Sequence, residues 1–458
     1  MQAKAPAENK MGVMPIPKLI VNMSLPMIAS MLVQALYNIV DSFFVAQVNE
    51  QSLTAVSLAF PAQNLMIGVA SGTAVGVNAL LSRALGEKNQ KLANTIAEHG
   101  VFLAMVGYAV FLLFGLFGVR LFFEAQTNVT EIVNYGVNYL SVICCFSFGV
   151  FGQIMFERLM QSTGRTIYTM FTQGLGAIIN IILDPVFIFV FHQGVRGAAI
   201  ATVIGQIVAF CLAAFLNHRK NADVQMNVRE FRPKAEIVGR IYAIGVPSII
   251  MIAIGSVMTF AMNKILIIYH AAKETAATIF GIYFKLNSFV FMPVFGLNNG
   301  IIPIVAYNYG AQNRKRMLEA IKISVIFVSA YMILGAIVFM AIPGSLLRIF
   351  NASDTMLLYG EPALRIICST FLLAGVCIAL GSTFQALGYG VYSMIVSLAR
   401  QLLVLVPSAY VLGRLGARVG NADLVWYSFP IAELMSLAVT LYLYARLYQN
   451  VISTVPDR

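Results

Sequence analysis

The chain has 458 residues, of which 59% are hydrophobic and 11% charged, and its mean hydropathy is +0.82. Soluble domains carry about a quarter charged residues, so the composition excludes a water-soluble globular protein. The net charge of +11 sits in short loops between apolar segments, which excludes a basic nucleic-acid face.

In chain order, the first 17 residues are polar and hold no apolar region ending in a cleavage site, so no removable signal peptide is expected. Asp, Glu, Lys and Arg are then missing from 19–40, 51–82, 286–313 and 366–399. A membrane-crossing helix needs about 20 mostly apolar residues. Loop punctuation predicts twelve spans, at 19–46, 52–82, 95–118, 136–157, 167–190, 197–216, 241–268, 277–303, 321–343, 362–387, 392–413 and 424–447. The tails and even-numbered connections hold twenty Lys and Arg, among them Lys4, Arg229 and Arg458, against six on the other side (Arg120, Arg196, Lys273, Arg348, Arg414, Arg418). By the positive-inside rule both termini are cytoplasmic. Five cysteines (Cys144, Cys145, Cys211, Cys368, Cys377) lie in apolar stretches, and four scattered histidines lack metal-ligand spacing.

A long repeat divides the chain. Shifted by 224 residues, QSTGRTIYTM (161–170) lies over QALGYGVYSM (385–394), and Gly72, Gly76 and Gly86 lie over Gly296, Gly300 and Gly310. At span 1 the shift becomes 221, pairing Pro26 with Pro247. Six is an even number, so the halves enter the membrane in the same orientation, and parallel repeats place a binding site at their interface. The expected layout is a cytoplasmic tail (1–18), a first lobe (19–216), a basic cytoplasmic linker (217–240), a second lobe (241–447) and a cytoplasmic tail (448–458).

Ionisable groups at depth are functional candidates by default. Asp41 stands in YNIVDSFF of span 1 and Asp184 in NIILDPVF of span 5. At 1.5 Å per residue, Asp41 is roughly 13 Å from Glu50, Asp184 about 12 Å from His192, and Thr202 about 9 Å from Arg196, so the three can share one depth. Asn180 stacks below Asp184, and Asn38 and Gln34 share a face with Asp41. Two carboxylates, an amide and a hydroxyl could bind Na+ through oxygen, with Asp41, Asn180, Asp184 and Thr202 as the ligand set. They could equally hold protons, since burial and like charge both disfavour ionised carboxylates. Pro185 frees a backbone carbonyl and lets span 5 bend. The plain alternative, two helix-end acids reaching interfacial water, is opposed by their short side chains and two-turn depth; for Asn180 and Thr202 simple inter-helix bonding is the rival. The repeat counterparts of Asp184 and Asp41 are Ser408 and Met262, so ion coupling is expected in the first lobe alone. Tyr37 and Tyr139 are candidates for a wet cavity. Lys285 and Glu433 could pair with each other or line it. Arg400 and Lys264 are expected to snorkel to the surface, and Glu157 and Arg158 to form an interfacial pair.

The segments LPMIASMLVQALYNIVDSFFVAQ, LLSRALGEKNQ, NIILDPVFIF, RGAAIATVIGQ and PIVAYNYGAQNRKR together resemble the multidrug and toxic compound extrusion (MATE) family over nearly the whole chain. The resemblance implies a V-shaped pair of six-helix lobes that exports amphipathic, usually cationic compounds against inward H+ or Na+. One branch of the family carries acids in spans 7 and 10. This chain has none in 241–268 or 366–387 and is more similar to the DinF-like branch, whose acids lie in the first lobe. Carried over by motif, Asp41, Asn180, Asp184 and Thr202 are the cation or proton residues, and Tyr37, Asn38 and Tyr139 match cavity-lining positions.

The expected protein is thus an all-α polytopic membrane protein, with twelve transmembrane helices in two parallel six-helix repeats. It is expected to act as a monomeric secondary antiporter of the inner (plasma) membrane, without a cofactor and with H+ or Na+ as coupling ion. Its partners are small amphipathic drugs and the bilayer, not nucleic acid. The competing reading is a flippase of lipid-linked sugars on the same fold, which needs a strongly cationic cavity where only Lys285, Arg400 and Lys264 are available. An intramembrane enzyme would need a nucleophile–base or metal constellation at depth, and the sequence offers none; a passive channel does not need duplicated halves.

Overall fold

The computed structural model describes residues 9–48, 50–227, 231–350 and 352–456. Lys4, Arg229 and Arg458, counted above among the Lys and Arg of the tails and even-numbered connections, lie outside the described residues. Among the described residues ten helices are long and apolar enough to cross a membrane, and two bent helix pairs, each taken as one span, bring the number to twelve: Ile16–Val45, Thr54–Gly86, Gln90–Glu124, the pair Thr130–Cys145 and Phe148–Ser162, Thr166–Val190, Gly194–Lys220, Ala235–Tyr269, Thr275–Gly310, Arg314–Ala341, the pair Asp354–Cys368 and Phe371–Ala386, Gly390–Val419 and Ala422–Thr454. They are numbered span 1 to span 12. Most run several residues past their apolar windows, because polar caps extend them: Asn89 accepts from Leu92 N at the start of span 3, and Asn313 from Arg316 N at the start of span 9.

Spans 4 and 10 are each bent, by 44° and 46°. The sequence signals neither bend with a proline. Hydroxyls bond back to the helix at each break: Ser147 Oγ donates to Cys144 O at 2.8 Å, and Ser369 and Thr370 donate to Ile366 O and Ile367 O at 2.6 and 3.1 Å. Such back-bonding hydroxyls compete with the helix ladder. The repeat is visible in the backbone as well. Lys88 and Gln312, one shift apart, both take a left-handed φ, and so do Gly164 and Gly388, at φ 84° and 90°.

The two six-span lobes meet mainly at the face that carries Gly86 and Gly310, called here the basic face. Span 2 packs along span 7, and span 8 packs along spans 1 and 2. The duplicated glycines make this approach. A Cβ on Gly72 would stand 2.5 Å from Ile249 Cγ1, one on Gly300 2.5 Å from Ser24 Oγ, and one on Gly76, Gly86 or Gly310 would strike the carbonyl oxygen of Ile241, Tyr307 or Arg83. One apolar core fills the first lobe and crosses to Ile241, Ile304 and Leu380 of the second. A separate core, from Met258 to Ala432, fills the rest of the second lobe alone. The lobes therefore share a core at the basic face and hold separate ones toward the far face.

Candidate functional site

Spans 5 and 6 touch where both are glycine: a Cβ on Gly205 would stand 2.7 Å from Gly176 O. That contact brings the next turns of the two helices together, and with them Asn180 and Thr202. Asn180, fully buried Asp184 and Thr202 lie inside the first lobe, at 2%, 0% and 7% exposure. The Asn180 amide is oriented by its neighbours. With its nitrogen toward Asp184, Nδ2 donates to Asp184 Oδ2 at 3.0 Å, and the amide oxygen accepts from Thr202 Oγ1 and Thr202 N, each at 3.1 Å. Every polar atom of the amide that faces these residues is then satisfied.

Span 1 packs against span 5 and closes the site. The half-buried Asp41 carboxyl lies in hydrogen-bond contact with that of Asp184, while Asp41 Oδ1 is buried without a partner. Tyr37 reaches the Thr202 hydroxyl. Buried Tyr139 of span 4 faces Asp41 and Tyr37, and its hydroxyl accepts from Gln63 Nε2 at 3.2 Å. The sequence-expected residues Asp41, Asn180, Asp184, Thr202, Tyr37 and Tyr139 thus converge from spans 1, 4, 5 and 6. Gln34 and Asn38 stand exposed on span 1 rather than in this buried cluster. Gln63 of span 2 belongs to the site and was not anticipated. Its signal was available, because its repeat partner 224 residues on is Asn287, another amide in an apolar span.

Three expectations about other charges are corrected. Glu433 does not pair with Lys285; it meets Arg400, Nη1 to Oε1 at 3.5 Å, while exposed Lys285 lies 5.9 Å from the centroid of the Phe350 ring. Arg400 accordingly does not snorkel. It sits about 15 Å along span 11 from Gly390 by helical rise, in a π-helical stretch, Ala399–Leu405, where a counter-ion is at hand. Glu157 and Arg158 do not form an interfacial pair. The buried Glu157 carboxylate accepts from Thr172 Oγ1 (2.7 Å), Gln173 Nε2 (2.7 Å) and Gln153 Nε2 (3.0 Å), and Arg158 Nη1 reaches Gln161 and, across to the second lobe, Asn299 Oδ1 at 2.9 Å.

In the second lobe the two acids are replaced by Met262 and Ser408, and the start of span 12 is packed by Trp426, fully buried against the Phe280 and His270 rings at 6.4 and 5.9 Å between centroids.

The MatE family model matches the chain twice, over residues 26–186 and 247–411. The chain belongs to the MATE family. The two matches open at the repeated prolines, Pro26 and Pro247, so the family pattern falls once on each half. The chain is 25% identical over 427 residues to a multidrug export protein MepA of Staphylococcus haemolyticus (strain JCSC1435), covering 93% of this chain and 92% of that one. It is 26% identical over 437 residues to the MepA of Staphylococcus aureus (strain MRSA252), covering 94% of each. Among solved structures, its fold matches a multidrug resistance MATE family transporter in an outward-facing conformation, with a TM-score of 0.91, 24% identity, and coverage of 98% of this chain and all of that one. The MATE fold of two six-span lobes is thus the fold of this chain.

Proposed function

We propose that the chain is a multidrug exporter of the plasma membrane driven by inward proton flow, with its basic face and both termini in the cytoplasm. Export is the printed role of the MepA relatives, and the orientation follows from the loop Lys and Arg. The observation that carries the proton is the contact between the Asp41 and Asp184 carboxyls. Two carboxylates repel and neither has a hydrogen to donate, and one proton shared between their oxygens would hold the pair together.

In this reading the described conformation is open to the outside, since the lobes close at the cytoplasmic face. Proton binding from outside draws spans 1 and 5 together and releases an amphipathic cation outward; loss of the proton inward restores drug affinity. The flippase reading lacks support, because Arg400 is tied to Glu433, Lys285 lies by Phe350, and Lys264 stands 5.2 Å from the centroid of the Phe260 ring.

The test is dye efflux from proteoliposomes under separately imposed H+ and Na+ gradients, for the wild type and Asp184→Asn. A proton gradient alone should drive wild-type efflux, and the variant should insert normally yet fall to the protein-free rate. Efflux that follows sodium, or a fully active Asp184→Asn, would refute the proposal.

A further inference from the structure

At the basic face a cavity of about 500 Å3 opens between the lobes, bounded by Arg83 and Leu92 of the first lobe and by Arg240, Tyr309, Gly388 and Tyr389 of the second. The repeat supplies a second copy of this notch for comparison. The counterparts of Arg83, Leu92, Leu387 and Gly388 are Tyr307, Arg316, Thr163 and Gly164. There the chain fills the notch itself, with residues Asn9–Met14. Met11 is fully buried. Arg316 Nη2 donates to Met11 O at 3.1 Å and to Met14 O at 2.6 Å, Asn308 Nδ2 donates to Met11 O at 3.3 Å, and Asn9 Nδ2 donates to Thr163 O at 3.1 Å.

The segment that register would place in the cavity lies elsewhere. Arg232, Pro233 and Lys234 are exposed; Lys234 N donates to His99 Nε2 at 2.8 Å, and the Phe231 ring packs 5.1 Å from that of His99, so the linker follows span 3. In the filled notch the Arg316 guanidinium holds backbone oxygens of Met11 and Met14, with Met11 buried behind them; the open cavity has Leu92 at that position and carries its guanidiniums on Arg83 and Arg240 instead. The cavity offers two guanidiniums over apolar walls that include Leu92 and Ile237. Arg83 engages Glu87, itself part of the lining, through Nε at 2.9 Å and lies 4.8 Å from the Tyr309 ring centroid. Arg240 engages Glu236 through Nη2 at 2.6 Å. These exposed pairs are weak and exchangeable, and each guanidinium keeps further N–H donors, suited to the fork geometry of a phosphate.

We propose that this cavity binds the phosphate headgroup of an anionic phospholipid of the inner leaflet, its acyl chain following the apolar wall, and that the bound lipid holds the lobes together at this face. The inner-leaflet assignment rests on the orientation proposed above; the binding does not depend on proton coupling. Because both lobes line the cavity, an occupant binds only while this face is closed, and a ligand favours the state it binds. The anionic surface of the cytoplasmic leaflet supplies the ligand where the arginines lie.

The test is native mass spectrometry of the full chain with phosphatidylglycerol and phosphatidylcholine of matched acyl chains. Two arginines should give phosphatidylglycerol an advantage of roughly thirtyfold. Arg83→Gln with Arg240→Gln should abolish it, whereas the surface control Lys91→Gln with Lys315→Gln should keep it. Leu92→Trp, which fills the cavity and leaves both arginines, should also abolish it, and serves if the double variant does not fold. Preference unchanged in the arginine or tryptophan variants overturns the site, and equal competition by soluble glycerol 3-phosphate overturns the lipid in favour of a free phosphate ligand. Spin labels at the exposed far-end positions Phe43 and Ile268 should report a wider separation in phosphatidylglycerol; an unchanged distance overturns the clamp. Asp184→Asn should retain the lipid preference, so failure of the proton reading and failure of this one give different patterns.

Discussion

Asp184 owes its place to four neighbours of different chemistry: an amide that donates to it, a hydroxyl one bond further, a second carboxyl, and a phenol close by. A polar network of this kind is stable when each member is satisfied and costly when one is removed. The second lobe has its own buried charges. Glu433 and Arg400 meet at 3.5 Å with side chains 15% and 24% exposed, and Glu433 Oε2 has no partner. Arg400→Met should therefore destabilise the protein by about 3–5 kcal/mol, because it leaves a carboxylate buried and unpaired, whereas Arg400→Met with Glu433→Met should be close to neutral. Thermal unfolding in detergent checks both, and a double variant no better than the single one would contradict this account. The acids and amides of the first lobe were legible because each interrupts a long apolar run. The partners of Arg400, Glu157 and Arg158 were not, since linear spacing along one helix says nothing about which neighbouring span presents a counter-ion.

Spans and their connections carry two further consequences. His270 closes span 7, buried at 4% exposure, and its Nδ1 accepts from Ala272 N at 3.0 Å. Burial holds its imidazole below the ordinary 6.5. The unfolded chain takes up the proton first as pH falls, so stability from this turn is intact above about pH 6.5 and declines as the medium is acidified below it. Unfolding temperature should drop between about pH 7 and pH 5, and His270→Gln should flatten that part of the profile; equal slopes would remove His270 as the cause. The duplicated glycines make the second case. Gly76→Ala drives a methyl into the Ile241 carbonyl, and overpacking of this kind costs about 1–3 kcal/mol, here against the lobe-to-lobe seam. A shift of the conformational equilibrium away from the described state, read by spin-label distances, is the expected result. The span count and the glycine register could be read from the sequence because hydropathy and spacing encode them. The bends in spans 4 and 10 could not, because isolated Ser and Thr in an apolar helix do not show which way their hydroxyls turn.

At the scale of the molecule, twofold pseudo-symmetry coexists with unequal chemistry. The backbone repeats at Lys88 and Gln312 and at Gly164 and Gly388, yet Asp41 and Asp184 correspond to Met262 and Ser408 across the repeat. Met262→Leu with Ser408→Ala should therefore leave gradient-driven dye efflux unchanged; a loss comparable to that of Asp184→Asn would show that both lobes handle the ion. The duplication itself could be read in the primary structure because the glycines that set helix spacing recur at one shift. That one notch is plugged and its twin open could not, because the plug is a short polar-flanked stretch ahead of span 1. Residues Asn9–Met14 act as a rivet through the seam rather than as slack leader. A truncated gene starting at Pro15 should yield a protein of lower melting temperature with its closed face loosened, so affinity handles belong on the carboxyl-terminal side.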